Sequence, residues 1–296
     1  MKSVRSAKSA FTLGSSRPLR TALTAVALAV ISCRSDRSST SDSASESVKW
    51  KLAWSDEFEG APGSPVNATR WVADTGGQGW GNDEREYYTP GTENAALDGA
   101  GHLVITARAE QGSRRRCWYG ACRYTSARLK TAGRYEPTYG RFEARIKLPR
   151  SQGLWPAFWL LGANCGSTGW PQCGEIDVVE SVGQEPNVVF GTLHGPGYSG
   201  GGGITRNYTL AESTFSDDFH VFAVEWTPGQ IRWLVDDKEY HRLAPANLPT
   251  GAQWVFDHPF FIILNVAVGG GRPGDPDATT TLPQEMVVDY VRVYRR

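Results

Sequence analysis

Apolar residues in this chain recur at every second position rather than every third or fourth, which is the period of a half-buried strand. Residues 141–148 show it most clearly. Phe142, Ala144, Ile146 and Leu148 form one face, and Arg141, Glu143, Arg145 and Lys147 form the other. Residues 102–109 repeat the pattern with Leu103, Ile105 and Ala107. Further strands are predicted over 219–226, 231–235, 260–268 and 286–294. Residues 260–264 are continuously apolar, as in a strand covered on both faces. Residues 154–162 (LWPAFWLLG) could pass for a buried helical turn, but their length and Pro156 favour a strand or strand edge. Helical periodicity is nearly absent. Short strands at a spacing of about eight to twelve residues, with turns drawn from 33 Gly, predict two antiparallel sheets packed as a sandwich.

The N-terminus falls outside this pattern. Residues 1–33 carry Lys2, Arg5, Lys8, Arg17 and Arg20 with no acid, followed by an apolar run over 22–31. That run is shorter than the roughly 20 residues needed to span a bilayer, and it suits the core of an export signal. It ends Val30-Ile31-Ser32-Cys33, which resembles the lipobox of bacterial lipoproteins. On that reading Cys33 becomes a lipidated N-terminus and anchors the protein at the cell envelope. On the alternative reading the signal is an ordinary secretory one. Residues 34–47 are Ser-rich and lack aromatics, which predicts a flexible tether. Residues 48–296 then form one all-β domain. The whole chain balances 31 basic against 31 acidic residues, and without residues 1–33 the count is 26 against 31, about −5. That balance speaks against a nucleic-acid partner and suits a neutral one. The cysteines beyond Cys33 form two local pairs, and in an exported protein they predict the disulfides Cys117–Cys122 and Cys165–Cys173. A metal site is the weaker reading, since neither pair has CxxC spacing or a neighbouring His.

Gly174-Glu175-Ile176-Asp177-Val178-Val179-Glu180 places three carboxylates in a β-branched run. Glu175 and Asp177 share a strand face, whereas Glu180, five positions after Glu175, would face away from them. One extra residue in a bulge at Val178-Val179 returns Glu180 to the first face. Clustered like charges destabilise a sheet, but they also push at least one carboxyl pKa upward. One acid beside one carboxylate is the equipment for cleaving a glycosidic bond.

This motif resembles the active-site strand of glycoside hydrolase family 16. Trp54-Ser55-Asp56-Glu57-Phe58, Gly79-Trp80-Gly81-Asn82-Asp83-Glu84 through Thr89, Tyr139 to Arg145, Gly153 to Gly162, His194-Gly195-Pro196-Gly197-Tyr198 and Val288 to Tyr294 extend the likeness over about residues 52–294. The resemblance implies an all-β, two-sheet antiparallel jelly-roll sandwich (concanavalin A-like) with an open concave substrate cleft. It implies hydrolysis with net retention, with Glu175 as nucleophile, Glu180 as general acid/base and Asp177 orienting the nucleophile. Retaining carboxyls stand about 5–5.5 Å apart. The two residues between Asp177 and Glu180 match the bulged branch, which laminarinases, agarases and carrageenases resemble. The GWGN and HGPGY segments are similar to laminarinases, which implies an endo-acting β-1,3-glucanase acting as a monomer on laminarin-type glucan. An agarose-type galactan hydrolase and a non-hydrolytic β-glucan recognition module are the alternatives.

Trp155 and Trp159 fall on one strand face and are expected to stack on pyranose rings. Trp80 and Trp170 are read either as loop platforms or as packing. Asn82 and Glu84 could hydrogen-bond sugar hydroxyls, although Gly81-Asn82-Asp83 is also a good turn. The resemblance brings His194 beside Asp177, at the end of a strand neighbouring the catalytic one. Arg128 reads either as a substrate ligand or as a solvated arginine. No cofactor is implied for catalysis. The family resemblance suggests a structural Ca²⁺ held by Glu57, the Gly101 carbonyl and Asp289, oxygen donors that would tie the two chain ends together. The other reading is strand-edge acids with no ion.

Overall fold

The alternation over 141–148 becomes the strand Gly140–Lys147, near the middle of the larger of two sheets. A computed structural model describes residues 49–296. The export signal, Cys33 and the whole of the predicted tether lie outside the described residues. The larger sheet runs in the order Lys238–Leu243, Gln230–Val235, His220–Thr227, Gly140–Lys147, Gln284–Arg295, Leu103–Ala109, Tyr124–Ser126 and Glu86–Tyr88. Lys51–Asp56 and Ala95–Leu97 pair onto it. The smaller sheet runs Ile204–Thr209, Val188–His194, Glu175–Glu180, Leu154–Gly162, Phe260–Val268, Arg128–Lys130 and Val72–Ala73. Pairing is antiparallel throughout this sheet.

The core lies between the sheets, where both inner faces are apolar. Phe142, Ala144, Ile146 and Leu148 point into it, as do Phe158, Leu160, Ile176, Leu193 and Leu264. All nine residues of Phe260–Val268 are buried, in keeping with the continuous apolar run over 260–264. The segment 154–162 is a strand rather than a helix, and it pairs with Phe260–Val268 over its whole length. Both predicted disulfides are present. The Cys117–Cys122 bridge closes a small hairpin, Arg116–Cys117 with Gly120–Ala121.

The residues suggested for calcium are held differently. Both Glu57 oxygens accept from the Arg292 guanidinium, at 3.0 and 2.8 Å. Asp289 Oδ2 accepts from Arg145 at 2.6 Å. Arginines thus engage both Glu57 oxygens and one Asp289 oxygen.

Candidate active site

Side chains that point away from the core on the smaller sheet meet in a cleft of about 710 Å³. Its geometry begins with the bulge. Asp177 pairs with Thr192 and Glu180 with Phe190, so the register slips between them. On the other side, Val179 faces Phe158 and Asp177 faces Trp159. Val178 and Val179 both sink into the core, at 2% and 1% exposure, and Glu180 returns to the face of Glu175 and Asp177. A bulge breaks the ladder and leaves backbone groups to satisfy. Here the fully buried Trp233 reaches across from the larger sheet, and its Nε1–H donates to the Asp177 carbonyl at 2.8 Å.

Glu180 is 5% exposed and is held by three donors. Trp155 Nε1 donates to Oε1 at 2.9 Å. Thr192 Oγ1 and Arg272 Nη1 donate to Oε2 at 3.2 and 3.1 Å. Glu175 Oε2 accepts from Trp170 Nε1 at 3.0 Å. His194 stands beside Glu175 in the register, with Nε2 3.3 Å from Asp177 Oδ2 and 3.8 Å from Glu175 Oε1. Burial pushes the Glu175 carboxyl well above the usual range, and the charges of Asp177 and Glu180 push it further while His194 opposes them. Burial and the charge of Glu180 raise Asp177 in the same way, and Arg272 opposes. Both carboxyls are thus raised by burial and neighbouring charge, and a buried acid pair of this kind favours keeping one proton between its two members.

Every residue singled out for substrate contact lines the same cleft: Asn82, Glu84, Arg128, Trp155, Trp159 and His194. Arg128 is no free surface cation. Its guanidinium lies 4.9 Å from the Trp80 ring centre and 4.8 Å from that of Trp159, and it pairs with Asp74 at 3.1 Å. Trp80 and Trp170 prove to be cleft residues, and Trp170 is 47% exposed. Sequence reasoning missed Thr192, Asn265 and Arg272. Arg272 lies 92 residues from Glu180 in a Gly- and Pro-rich turn, and no periodicity marks it. Thr192 was open to inference, since it lies two residues before His194 on the neighbouring strand. Among the described residues, one His/Cys/Asp/Glu group has ligand atoms mutually close enough for a metal. It consists of Glu175, Asp177 and His194, within 4.8 Å. Trp170 engages one Glu175 oxygen, and Asp177 Oδ2 lies 3.3 Å from His194 Nε2.

Residues 83–292 match the family described as "Glycosyl hydrolases family 16". The chain belongs to that family. It is 45% identical over 265 residues to a β-glucanase of Rhodothermus marinus, covering 86% of this chain and 88% of the relative. The catalytic domain of a Thermotoga maritima laminarinase is 49% identical, with a TM-score of 0.78, covering 83% of this chain and 98% of that one. An endo-β-1,3-glucanase from Pyrococcus furiosus is 52% identical, with a TM-score of 0.77, covering 83% and 94%. As a family 16 protein, the chain is a glycosidase with a jelly-roll sandwich fold.

Proposed function

We propose that this protein hydrolyses internal β-1,3 bonds of laminarin-type glucans with retention of configuration. The observation that carries this reading is the bulge, which sets Glu175 and Glu180 on one face of a Trp-lined cleft. With the pair's proton on Asp177, the Glu175 carboxylate attacks the anomeric carbon. Glu180 gives its proton to the departing glycosidic oxygen, and a glycosyl ester forms on Glu175. Glu180 then takes a proton from water, the resulting hydroxide attacks the same carbon, and Glu175 leaves as carboxylate. Trp155, Thr192 and Arg272 hold Glu180 at its position through both steps. Trp159 and Trp170 offer rings for stacking, and Asn82, Glu84 and Arg128 offer polar contacts to hydroxyls. The enzyme reads as an exported monomer, tethered to the envelope by a lipid on Cys33. The mass of the mature N-terminal peptide tests the anchor.

The activity test measures reducing-sugar release from laminarin, lichenan and agarose. Laminarin is expected to be cut, and Glu175→Gln and Glu180→Gln each to lower kcat by about 10²–10⁴-fold. Azide added to the Ala variants separates the roles. The Glu180→Ala enzyme is expected to yield a β-glycosyl azide and the Glu175→Ala enzyme an α-glycosyl azide. Cleavage of agarose alone would move the substrate to a galactan. Laminarin binding without release would leave a recognition module.

A further inference from the structure

A second carboxyl pair lies beneath the cleft, apart from the catalytic cluster. Glu84, Glu86 and Tyr88 alternate inward on the segment entering the strand Glu86–Tyr88, at 4%, 0% and 0% exposure. The direction of the hydrogen bonds around them is fixed by one donor-only group. The indole N–H of Trp159 can only donate, and it donates to Asn265 Oδ1 at 2.8 Å. The Asn265 amide therefore faces Tyr88, with Nδ2 donating to the phenol oxygen at 3.2 Å. The Tyr88 proton must then go to Glu84 Oε2, at 3.0 Å. Glu84 Oε1 accepts from Asn82 Nδ2, also at 3.0 Å. Both Glu84 oxygens are thus acceptors. Glu86 Oε2 accepts from the Val268 N–H at 2.6 Å, while its Oε1 is buried with no donor. Glu84 is the neighbouring carboxyl, and its charge opposes ionisation of the fully buried Glu86. A buried carboxyl oxygen with no donor, beside a second carboxyl whose oxygens both accept, is relieved when it carries a proton that it can donate.

We propose that Glu86 is a positioning residue held as the neutral acid, donating to Glu84 and thereby fixing Asn82, Tyr88, Asn265 and Trp159 for the sugar. Asn82, Glu84, Asn265 and Trp159 all line the cleft, so the buried proton is connected to substrate contacts at both ends of the relay. Burial, followed by the Glu84 charge, raises the Glu86 carboxyl well above its usual range. Glu84 and Tyr88 face it from its own segment. Asn265 and the Val268 N–H face the group from the strand Phe260–Val268. Arg128, whose charge reaches Tyr88, is already committed to Asp74. Ionised Glu86 would find no free cation among these groups, and a second negative charge would press Glu84 away from Asn82 and Tyr88.

The kinetic half of this proposal rests on the glucanase reading, whereas the stability half does not. Glutamine reproduces the neutral acid, since its amide N–H can donate to Glu84 and its oxygen can accept from Val268. The unfolded chain ionises Glu86 near pH 4.3, whereas the folded chain keeps the proton, so the wild type loses stability as pH rises above that value. Urea unfolding from pH 4 to pH 8 is therefore expected to show Glu86→Gln gaining on the wild type as pH rises. A difference that stays constant with pH would overturn the neutral acid. With laminarin, Glu86→Leu is expected to raise KM by about fivefold, the worth of roughly one hydrogen bond, with a smaller effect on kcat. The wild type is expected to show a rise in KM at alkaline pH, and Glu86→Gln should restore KM and abolish that rise. Equal KM for the Gln and Leu variants at every pH would overturn the positioning role. Failure of the wild type to cut laminarin would remove the proposed activity, and the unfolding series would still decide the protonation of Glu86.

Discussion

Glu180 shows how a site residue is made by its neighbours. Its strand gives it a direction, but Trp155, Thr192 and Arg272 give it a fixed position. Trp155 was expected to be a stacking platform, and its N–H also grips a catalytic oxygen. Trp155→Phe keeps a ring and deletes that hydrogen bond to an ionisable group. We expect kcat on laminarin to fall about tenfold with a smaller change in KM, the scale of one charge-assisted bond. Trp159, bonded to Asn265 instead, should raise KM more than it lowers kcat when changed to Phe. Steady-state kinetics on both variants decide the matter, and the same split for both would remove the distinct role of Trp155. The ring was legible from its i, i+4 spacing on a strand. The bond from its N–H was not, because that depends on where a bulge in another strand delivers Glu180.

The bulged strand Glu175–Glu180 is supported from both sheets. Trp233 satisfies the Asp177 carbonyl, and its indole fits there because position 191 on the next strand has no side chain. A Cβ at Gly191 would lie 2.5 Å from Trp233 Cδ1 and 2.5 Å from the Tyr240 hydroxyl. Gly191→Ala is therefore expected to destabilise the fold by about 1–3 kcal/mol through overpacking. It should also lower kcat, because the displaced indole releases the backbone of Asp177. Urea unfolding combined with turnover tests this, and an alanine variant with unchanged stability would show that the indole can move at little cost. The alternation that predicted the strands survived where one face meets the core, as in Gly140–Lys147, whereas Phe260–Val268 is buried on both faces. The Cys117–Cys122 disulfide followed from local pairing of cysteines. Its place against the cleft did not. Trp118 Nε1 donates to the Glu84 carbonyl at 2.8 Å and the Arg85 guanidinium covers the Trp118 ring, contacts between segments about 30 residues apart that no local pattern encodes.

For the molecule as a whole, the buried acids set the dependence of stability on pH. Glu175 is raised by burial first and by Asp177 next. Its folded pKa exceeds its unfolded value near 4.3, so the folded state binds more protons between those two values and stability falls as pH rises through that window. Glu175→Gln removes this loss. The variant is expected to be more stable than the wild type near neutrality, with the advantage shrinking as pH falls to about 4. Buried His241 works in the opposite sense. Burial lowers its pKa, so it costs stability as pH falls below its unfolded value, about 6.5. The comparison therefore has to be made between variant and wild type at each pH, by urea unfolding, and a gap that does not change with pH would contradict the raised carboxyl. The sequence by itself determined the strand faces, the two sheets, the disulfide partners and the three carboxylates, because period, cysteine spacing and a five-residue offset are local properties of a strand. Only the tertiary structure decided that Arg272 and Thr192 would hold Glu180, that Arg292 and Arg145 would pair with Glu57 and Asp289, and that Glu84 and Glu86 would be buried together. Those outcomes depend on which distant side chains meet once water is excluded, and charge and hydrogen-bond demand acquire their strength only there.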